Sequence, residues 1–246
     1  MDDKILQIRE RLNQAKFAVV FTGAGISTES GIPDFRSPGG IWATSQPVMY
    51  NDFMADPAAR YEYWRQKAVA HRDFADSEPN TGHKIVAQWE AAGKLKGVIT
   101  QNIDGLHQIA GSENVVEVHG TARQISCLDC NARFDAGALV KKFLDEDKVP
   151  LCPLCGSDRM KHATISFGQQ LDETTINTAI DWASRCDLLF AMGSSLVVEP
   201  AAGIPRLAKQ NGATLVIINR DPTPQDDSAD FVINDSIGKT LGAIGV

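Results

Sequence analysis

Short apolar runs recur along the chain, and each of them ends in small or polar residues. These runs lie at 17–22, 96–100, 114–118, 187–192, 213–218 and 231–233. Runs of this length, rich in β-branched and aromatic residues, predict buried strands. Stretches with apolar residues on one helical face, such as 3–16 and 83–92, lie between them. Strands that alternate with helices predict an α/β fold whose parallel sheet is covered by helices on both faces.

The first apolar run leads into a turn formed by Gly23, Ala24 and Gly25. Glycine lets the backbone approach a ligand closely, and the amide groups that open a following helix can hold a pyrophosphate. The usual dinucleotide fingerprint is incomplete, because Thr28 stands where a third glycine would and no acidic residue follows about twenty positions later. By itself, therefore, this Gly-Ala-Gly segment is as consistent with a tight turn that binds nothing as with a phosphate-binding turn.

The residues that follow the turn carry functional groups that could contact a ligand bound there. Asp34, Phe35 and Arg36 place a carboxylate, an aromatic ring and a guanidinium nearby. The next segment contains Pro-Gly-Gly and predicts a loop, which we interpret as a lid over the turn. The composition of 50–75 predicts two helices, whose aromatic side chains we expect in the core. The lid and these helices form an insertion at about 37–78.

Short segments of mostly small or polar residues stand directly after several of the predicted strands. They comprise Gln101, Asn102, Ile103 and Asp104 after the second strand, His119 after the third, Gly193, Ser194 and Ser195 after the fourth, and Asn219 and Arg220 after the fifth. Ligand groups gather at the carboxyl ends of strands in open α/β sheets, so we expect these residues to share one crevice with the first turn. An imidazole that titrates near neutrality suits a general base, although a structural role is the commoner one for a lone histidine.

Four of the five cysteines form two Cys-x-x-Cys pairs. The pairs are Cys127 with Cys130 and Cys152 with Cys155, and 21 residues separate them. This spacing is close to that of tetrahedral zinc sites, with a redox pair as the alternative. Four thiolates leave no position for water, so the zinc would be structural. We predict a small zinc-ribbon domain at 121–163, inserted in a main domain at 1–120 and 164–246, too short for a core of its own and dependent on the metal.

Composition and charge narrow the functional classes. The 246 residues include 24 basic and 31 acidic side chains, which gives a formal net charge of -7. The predicted ribbon has seven basic and six acidic residues, so neither it nor the whole chain is suited to binding nucleic acid. No apolar run approaches the length of a membrane span, and the N-terminal segment reads as a charged amphipathic helix. We expect a cytoplasmic protein with reduced cysteines and no membrane partner.

Taken together, the motifs resemble one family. In order they are Gly-Ala-Gly-Ile-Ser at 23–27, Gly-Ile-Pro-Asp-Phe-Arg at 31–36, Thr-Gln-Asn-Ile-Asp-Gly-Leu-His at 100–107, His-Gly at 119–120, the two cysteine pairs, Gly-Ser-Ser-Leu at 193–196 and Ile-Asn-Arg at 218–220. This series resembles the sirtuins, the NAD-dependent protein-lysine deacylases, from about residue 5 to the end. The resemblance implies a Rossmann-like large domain and a small zinc domain, with NAD and an acyl-lysine peptide or protein bound between them.

The resemblance also implies a role for each matching residue. The implied contacts to NAD, which serves as co-substrate, are Gly23, Ala24, Gly25, Asp34, Phe35, Arg36, Gln101, Asn102, Ile103, Asp104, Gly193, Ser194, Ser195, Asn219, Arg220 and Ser236. The implied substrate contacts are Ile165, Ser166, Phe167 and Gly168 on one side and Leu196, Val197 and Val198 on the other. The peptide would add as a strand between these two segments. The implied catalytic residues are His119, Asn102 and Asp104.

The implied chemistry is unusual for NAD. The amide oxygen of the acyl-lysine attacks the ribose carbon that bears nicotinamide, and nicotinamide leaves. Asn102 and Asp104 would help to expose that carbon, and His119 would then activate a ribose hydroxyl to attack the resulting amidate. The products would be free lysine, nicotinamide and O-acyl-ADP-ribose.

Two departures from the family pattern bear on the substrate. Ser166 and Gln169 stand where many relatives have other residues in the substrate strand. Relatives that remove succinyl or malonyl groups hold the extra carboxylate with Tyr-x-x-Arg, whereas Tyr61 is followed by Trp64 here. We therefore expect a neutral acyl group, most simply acetyl.

Other functions remain open on the residues alone. Transfer of ADP-ribose to a protein side chain shares the loss of nicotinamide and is the alternative function. A hydride-transferring dehydrogenase would fit the first turn, and a zinc ribbon that binds nucleic acid would fit the cysteines.

Overall fold

The computed structural model describes residues 2–34 and 46–245. Phe35, Arg36 and most of the expected lid fall outside these ranges, as do the side chains of residues 2 and 72–74. Within the described ranges, each predicted strand and helix is present, with ends that differ by at most two residues from the prediction.

The described chain contains two sheets. The strands are β1 (Ala18–Thr22), β2 (Gly97–Thr100), β3 (Val115–Glu117), β4 (Gly120–Cys127), β5 (Arg133–Asp135), β6 (Met160–Thr164), β7 (Leu188–Met192), β8 (Thr214–Ile218) and β9 (Phe231–Ile233). Six of them form a parallel sheet in the order β3-β2-β1-β7-β8-β9. The order reverses between β1 and β7, which pair in register up to Thr22 and Met192. In such sheets a ligand crevice opens at the carboxyl ends of the strands where the order reverses.

Helices cover both faces of this sheet. In chain order, the helices of the described residues are α1 (Asp2–Gln14), α2 (Tyr50–Ala55), α3 (Pro57–Ala75), α4 (Thr81–Ala91), α5 (Leu106–Ile109), α6 (Ala136–Glu146), α7 (Glu173–Arg185), α8 (Gly203–Gln210) and α9 (Ile237–Ile244), with short 3-10 helices at Ala24–Ser30 and Asp226–Ser228. None of the helices within the described ranges is long and apolar enough to cross a membrane.

The two helical layers follow from the alternation of side chains along each strand. Val20 of β1 packs in one cluster with Trp89 of α4 and residues of α1 and α9. Its neighbours Val19 and Phe21 point to the other face and pack with Trp182 of α7 and residues of α8. The predicted α/β fold, with a parallel sheet between helical layers, is confirmed.

The second sheet is antiparallel, in the order β5-β4-β6, and carries α6. Its apolar side chains cluster with those of α2 and α3. The ring of Trp64 lies 5.7 Å from that of Phe143, and the Trp64 Nε1–H donates to the Met160 carbonyl at 2.6 Å. Phe53, Tyr63 and Trp64 are buried, as expected for core aromatics. The small sheet therefore completes its core with the helical insertion.

Candidate active site

A cavity of about 920 Å³ opens at the carboxyl ends of β1, β2, β7 and β8. The residues singled out from the sequence that line it are Ala24, Gly25, Asp34, Gln101, Asn102, Ile103, His119, Ile165, Ser166, Phe167, Gly168, Gly193, Ser194, Ser195, Val198, Asn219, Arg220 and Ser236. Gly23 and Asp104 are buried outside this lining. The residues after distant strands thus meet in one cavity.

The glycine turn is built by close contact between two backbone segments. Gly25 donates its N–H to the Gly193 carbonyl at 2.8 Å, and Gly23 donates to the Met192 carbonyl at 3.0 Å. A Cβ atom on Gly25 would lie 2.7 Å from the Gly193 Cα, and Gly193 has a φ of 63°. Glycine is required here because the turns after β1 and β7 cross in contact. The Gly25 amide, expected to be available for a phosphate, is already paired within the chain.

His119 follows β3 and is held through one ring nitrogen. Its Nδ1 lies 3.1 Å from the backbone oxygen of Gln101. A carbonyl oxygen only accepts, so Nδ1 carries the hydrogen and Nε2 of the neutral ring keeps its lone pair. Burial lowers the pKa of His119, and the Gln101 carbonyl partly offsets this effect. The ring is therefore in the form that can take a proton at neutral pH.

Asn102 is oriented by two side chains behind the cavity wall. The Ser27 hydroxyl donates to Asp104 Oδ2 at 2.7 Å and accepts from Asn102 Nδ2 at 3.1 Å. The other Asp104 oxygen accepts from the Leu106 N–H at 2.9 Å. Asp104 therefore acts on Asn102 through Ser27 and does not face the cavity. Ser27 was not among the predicted site residues, because its only signal in the sequence was its place in the Gly-Ala-Gly-Ile-Ser motif.

His83 and His107, which have no assigned role in the chemistry, pack beneath this network. Their rings meet edge to face at 4.9 Å, and both are almost fully buried. His107 Nε2 lies 3.0 Å from the Thr22 hydroxyl, and His83 Nε2 lies 3.5 Å from that of Ser27. Burial lowers the pKa of His83 to about 4 and that of His107 well below its ordinary value. Both rings are therefore neutral at pH 7.

Hydroxyl groups tie separate segments together along the cavity. The Ser194 hydroxyl donates to Gln101 Oε1 at 2.7 Å and so joins the turn after β7 to the loop after β2. The Ser236 hydroxyl, at the N-terminus of α9, donates to Glu29 Oε1 at 2.8 Å. Glu29 also lines the cavity, although no motif in the sequence indicated a role for it.

The segment at 165–168 forms one side of the cavity. The Ile165 N–H donates to the His119 carbonyl at 2.8 Å, so this segment begins beside the histidine. Gln169 Oε1 accepts from the Ser166 N–H at 3.1 Å and from Lys161 Nζ at 3.2 Å. Gln169, which departs from the family pattern, therefore helps to hold the segment at 165–168 in place. Leu196 and Val197 lie outside the cavity lining.

Tyr63 and Lys67 also line the cavity, one helical turn apart on α3. Neither was selected from the sequence, because nothing there indicated which face of α3 meets the cavity. Tyr61 and Trp64, on which the expectation of a neutral acyl group depended, point elsewhere. The Tyr61 hydroxyl donates to Asp147 at 2.7 Å, and Trp64 is buried against the small sheet.

The four paired cysteines converge at one end of the small sheet. The Sγ atoms of Cys127 and Cys155 are 3.6 Å apart, as are those of Cys130 and Cys152, and all four lie within 4.8 Å of one another. Tetrahedral zinc with Zn–S bonds of about 2.3 Å separates its sulfur ligands by about 3.8 Å. The cluster fits zinc and confirms the prediction of a four-cysteine site. Cys186 is buried apart from it.

Comparison with known proteins decides the family. The model described as "Sir2 family" matches residues 23–200. The chain belongs to the Sir2 family. The NAD-dependent protein deacetylase 1 of Bradyrhizobium diazoefficiens is 48% identical over 238 residues, which cover 96% of this chain and 93% of that protein. The NAD-dependent protein deacetylase of Rhodopseudomonas palustris is 47% identical over 238 residues, which cover 96% and 94%.

Solved Sir2 structures share the whole architecture. A structure of Sir2 with a p53 peptide and NAD+ has a TM-score of 0.89 and 35% identity, and the match covers 97% of this chain and 95% of that one. The resemblance to the sirtuins drawn from the motifs is therefore confirmed, and the Sir2 fold accounts for both sheets of this chain.

Proposed function

We propose that this Sir2 family protein removes acyl groups from the lysine side chains of proteins in a reaction that consumes NAD and yields nicotinamide and O-acyl-ADP-ribose. The placement of His119 carries the proposal. Its Nδ1 is held by Gln101, and it lines the same cavity as the glycine turn and the segment at 165–168. The two deacetylases that are 48% and 47% identical to nearly all of this chain support the same activity.

The lining of the cavity suits NAD. Ala24 and Gly25 present backbone with little side chain, and Ser194 and Ser195 add hydroxyl groups where a phosphate or ribose would lie. Arg220 adds a positive charge beside Asn219. When bound, NAD supplies a ribose carbon from which nicotinamide can leave.

Two side chains act at the reacting end. Asn102 presents an amide whose orientation is fixed by Ser27 and Asp104, and this amide positions the ribose or a water beside it. His119 takes a proton from a ribose hydroxyl through Nε2 and later returns it. Because Nδ1 stays bonded to the Gln101 carbonyl, the ring keeps its orientation in both protonation states.

The substrate peptide adds as a strand between the segments at 165–168 and 195–199. Val197 has no backbone hydrogen bond within the described chain, and its side chain is 49% exposed. Recognition through backbone hydrogen bonds tolerates many sequences around the acyl-lysine. The net charge of -7 favours a substrate rich in lysine.

We also propose how the chain divides into domains and where in the cell the protein is located. The main domain comprises 1–120 and 164–246, and the zinc ribbon comprises 121–163. None of the five cysteines is in a disulfide, and thiolate ligands persist in a reducing compartment, which supports a cytoplasmic location.

One incubation tests the function. The protein is mixed with NAD and an acetyl-lysine peptide, and nicotinamide, free-lysine peptide and O-acetyl-ADP-ribose are quantified by mass spectrometry. We expect the three products in equal amounts and their loss in His119→Ala. Absence of nicotinamide release would reject the proposal. NAD labelled in the adenosine separates the alternative, because label that stays on protein indicates ADP-ribosyl transfer.

A further inference from the structure

Three buried polar side chains form a series of hydrogen bonds beneath the loop that carries Asn102. His107 Nε2 lies 3.0 Å from the Thr22 hydroxyl, and this hydroxyl donates to the Thr100 hydroxyl oxygen at 2.8 Å. The Thr100 oxygen also accepts from the Asn102 N–H at 3.0 Å. These three side chains, here called the buried relay, therefore end on the backbone of a residue that lines the active-site cavity.

The buried relay connects the two ends of the loop at 101–105. Thr100 is the last residue of β2, and it pairs with Thr22, the last residue of β1. His107 is the second residue of α5, which begins where the loop ends. Because Thr100 and His107 both bond to the Thr22 hydroxyl, the base of the loop is closed onto the end of β1.

Burial makes these bonds necessary. The three residues of the relay are at most 2% exposed. A buried polar group that loses its partner cannot bond to bulk water instead, so it is left unpaired at a cost in free energy. Each member of the relay is therefore held by the next one, and a change in any member reaches the Asn102 N–H.

The ring of His107 sets the direction of the relay. Its Nδ1 has no hydrogen-bond partner among the described residues, whereas Nε2 faces the Thr22 oxygen. The Thr22 hydroxyl donates its hydrogen to Thr100, so its oxygen is an acceptor for Nε2–H. Burial and then His83 lower the pKa of His107 well below its ordinary value, which keeps the ring neutral. Its hydrogen is therefore on Nε2, in contrast to His119, which carries it on Nδ1.

Asn102 is thus held from two sides. Its side-chain amide is oriented by Ser27, which in turn donates to Asp104. Its backbone N–H is fixed by Thr100 of the buried relay. An amide side chain points in one direction only when the backbone that carries it is fixed as well, so the hold by Ser27 depends on the hold by the relay.

We propose that His107 is a positioning residue for the deacylase reaction: by donating its Nε2 hydrogen to Thr22, it fixes the backbone of Asn102 through Thr100 and so sets how the Asn102 amide faces the bound NAD. The inference rests on the proposed function, in which Asn102 acts at the reacting end. The relay itself lies outside the cavity lining. Its loss should therefore slow the release of nicotinamide without weakening the binding of the acyl-lysine peptide.

The first test locates the ring hydrogens in the unaltered protein. Long-range proton–nitrogen NMR correlations of isotope-labelled histidine distinguish the two neutral forms of the ring, and the spectrum of His107→Gln identifies the His107 signals. We expect the hydrogen on Nε2 of His107 and on Nδ1 of His119, which serves as the internal reference for the opposite form. A hydrogen on Nδ1 of His107 would overturn the inference, because the ring could not donate to Thr22.

The second test changes Thr100. Thr100→Val keeps the shape of the side chain and removes the hydroxyl, so kcat for nicotinamide release should fall by about tenfold to a hundredfold with an unchanged KM of the acetyl-lysine peptide. Thr100→Ser keeps the hydroxyl and should keep most of kcat. Thr240→Val removes a buried hydroxyl of α9 and is the matched control, with unchanged kcat. Equal losses in Thr100→Val and Thr100→Ser would contradict the inference.

The third test changes His107. His107→Gln keeps an N–H close to the place of Nε2 and should keep most of kcat, whereas His107→Leu should lower kcat as Thr100→Val does. Because both changes interrupt the same relay, His107→Leu combined with Thr100→Val should reduce kcat no further than either change alone. Losses that multiply in the double variant would show that His107 affects catalysis by a route other than Thr100.

Amide hydrogen exchange separates this inference from the function on which it rests, because it needs no substrate. The Asn102 N–H should exchange slowly in the unaltered protein and in Thr100→Ser, and faster in Thr100→Val and His107→Leu. This pattern without nicotinamide release from NAD and acetyl-lysine peptide would reject the proposed function and support the hold on Asn102. Turnover with equal exchange in all four proteins would reject the relay alone.

Variants that fail to fold leave two measurements that decide the question. Thermal melting identifies such variants. The position of the His107 ring hydrogen and the exchange rate of the Asn102 N–H are both measured on the unaltered protein. An Nε2 hydrogen with a slowly exchanging Asn102 N–H supports the relay, and either an Nδ1 hydrogen or rapid exchange rejects it.

Discussion

His119 is oriented by the backbone of Gln101, whose carbonyl oxygen lies 3.1 Å from its Nδ1. The side chain of the same glutamine accepts from Ser194 at 2.7 Å, so one residue links the base after β3 to the turn after β7. Because the bond to the histidine uses a backbone atom, substitutions of the Gln101 side chain should loosen the turn after β7 and leave the ring in place.

We expect activity to fall on the acid side as His119 becomes protonated. Burial lowers the pKa of His119 below its ordinary value of 6.5. The ring is then neutral at pH 7, so kcat/KM should be flat above pH 7 and decline only below 6.5. His119→Ala should reduce formation of free-lysine peptide by about 10²- to 10⁴-fold. The measurement is kcat/KM between pH 5 and 8, and a decline centred above pH 7 would contradict the assignment.

Ser27→Ala should weaken catalysis although Ser27 does not belong to the cavity lining. The substitution leaves the buried Asp104 carboxylate and the Asn102 amide each without one partner, at a cost of about 1–3 kcal/mol in stability. Asn102 would lose its fixed orientation, so kcat/KM for NAD should fall at least about tenfold.

Ser112→Ala is the matched control for Ser27→Ala. Ser112 is also buried, at 5% exposure, but its hydroxyl has no partner among the residues that the structure describes. Its removal should change neither kcat/KM nor, by more than about 1 kcal/mol, the stability. Similar losses in both variants would mean that the Ser27 bonds do not orient Asn102.

Gly25→Ala and Gly242→Ala should shift stability in opposite directions. A Cβ on Gly25 would lie 2.7 Å from the Gly193 Cα, and because that contact is backbone against backbone, relief requires the turns to move, at about 1–3 kcal/mol. Gly242 is in α9 and has no atom within 4 Å of a Cβ, so alanine there should stabilise by about 0.5–1 kcal/mol. Thermal melting checks both signs, and equal shifts would show that the turns are not tightly packed.

The sequence predicted the fold well because the strands of the parallel sheet are short and apolar, and the central ones, β1, β2 and β7, are wholly buried. The ends of each apolar run lie within two residues of the ends of the observed strand. Parallel sheets of this class place the carboxyl ends of their strands at one edge, so the positions of Asn102, His119 and Ser194 after three strands were enough to predict that they meet. What sequence position does not give is the direction of a side chain. Asp104 turns away from the cavity, and Lys67 of α3 turns toward it, because packing against the small sheet sets how that helix is rotated.

Loss of zinc should reduce activity through the loop that carries Asn102. β4 leads into the metal site and also supports that loop through two hydrogen bonds. The Ala122 N–H donates to the Ile103 carbonyl at 2.8 Å, and Arg123 Nε donates to the Asp104 carbonyl at 2.7 Å. Without the metal the small sheet should unfold and these bonds should be lost. Cys152→Ser should therefore lower zinc content and reduce kcat/KM at least about tenfold.

Two further variants separate the metal from the loop. Cys186→Ala alters a buried cysteine outside the cluster and should keep both zinc and activity. Arg123→Met should keep zinc but lower kcat/KM, because it removes one support of the loop and leaves the cysteines intact. Zinc content by atomic absorption, circular dichroism and nicotinamide release are measured on each protein. A zinc-free Cys152→Ser protein that stays folded and fully active would show that the metal supports neither the small sheet nor the loop.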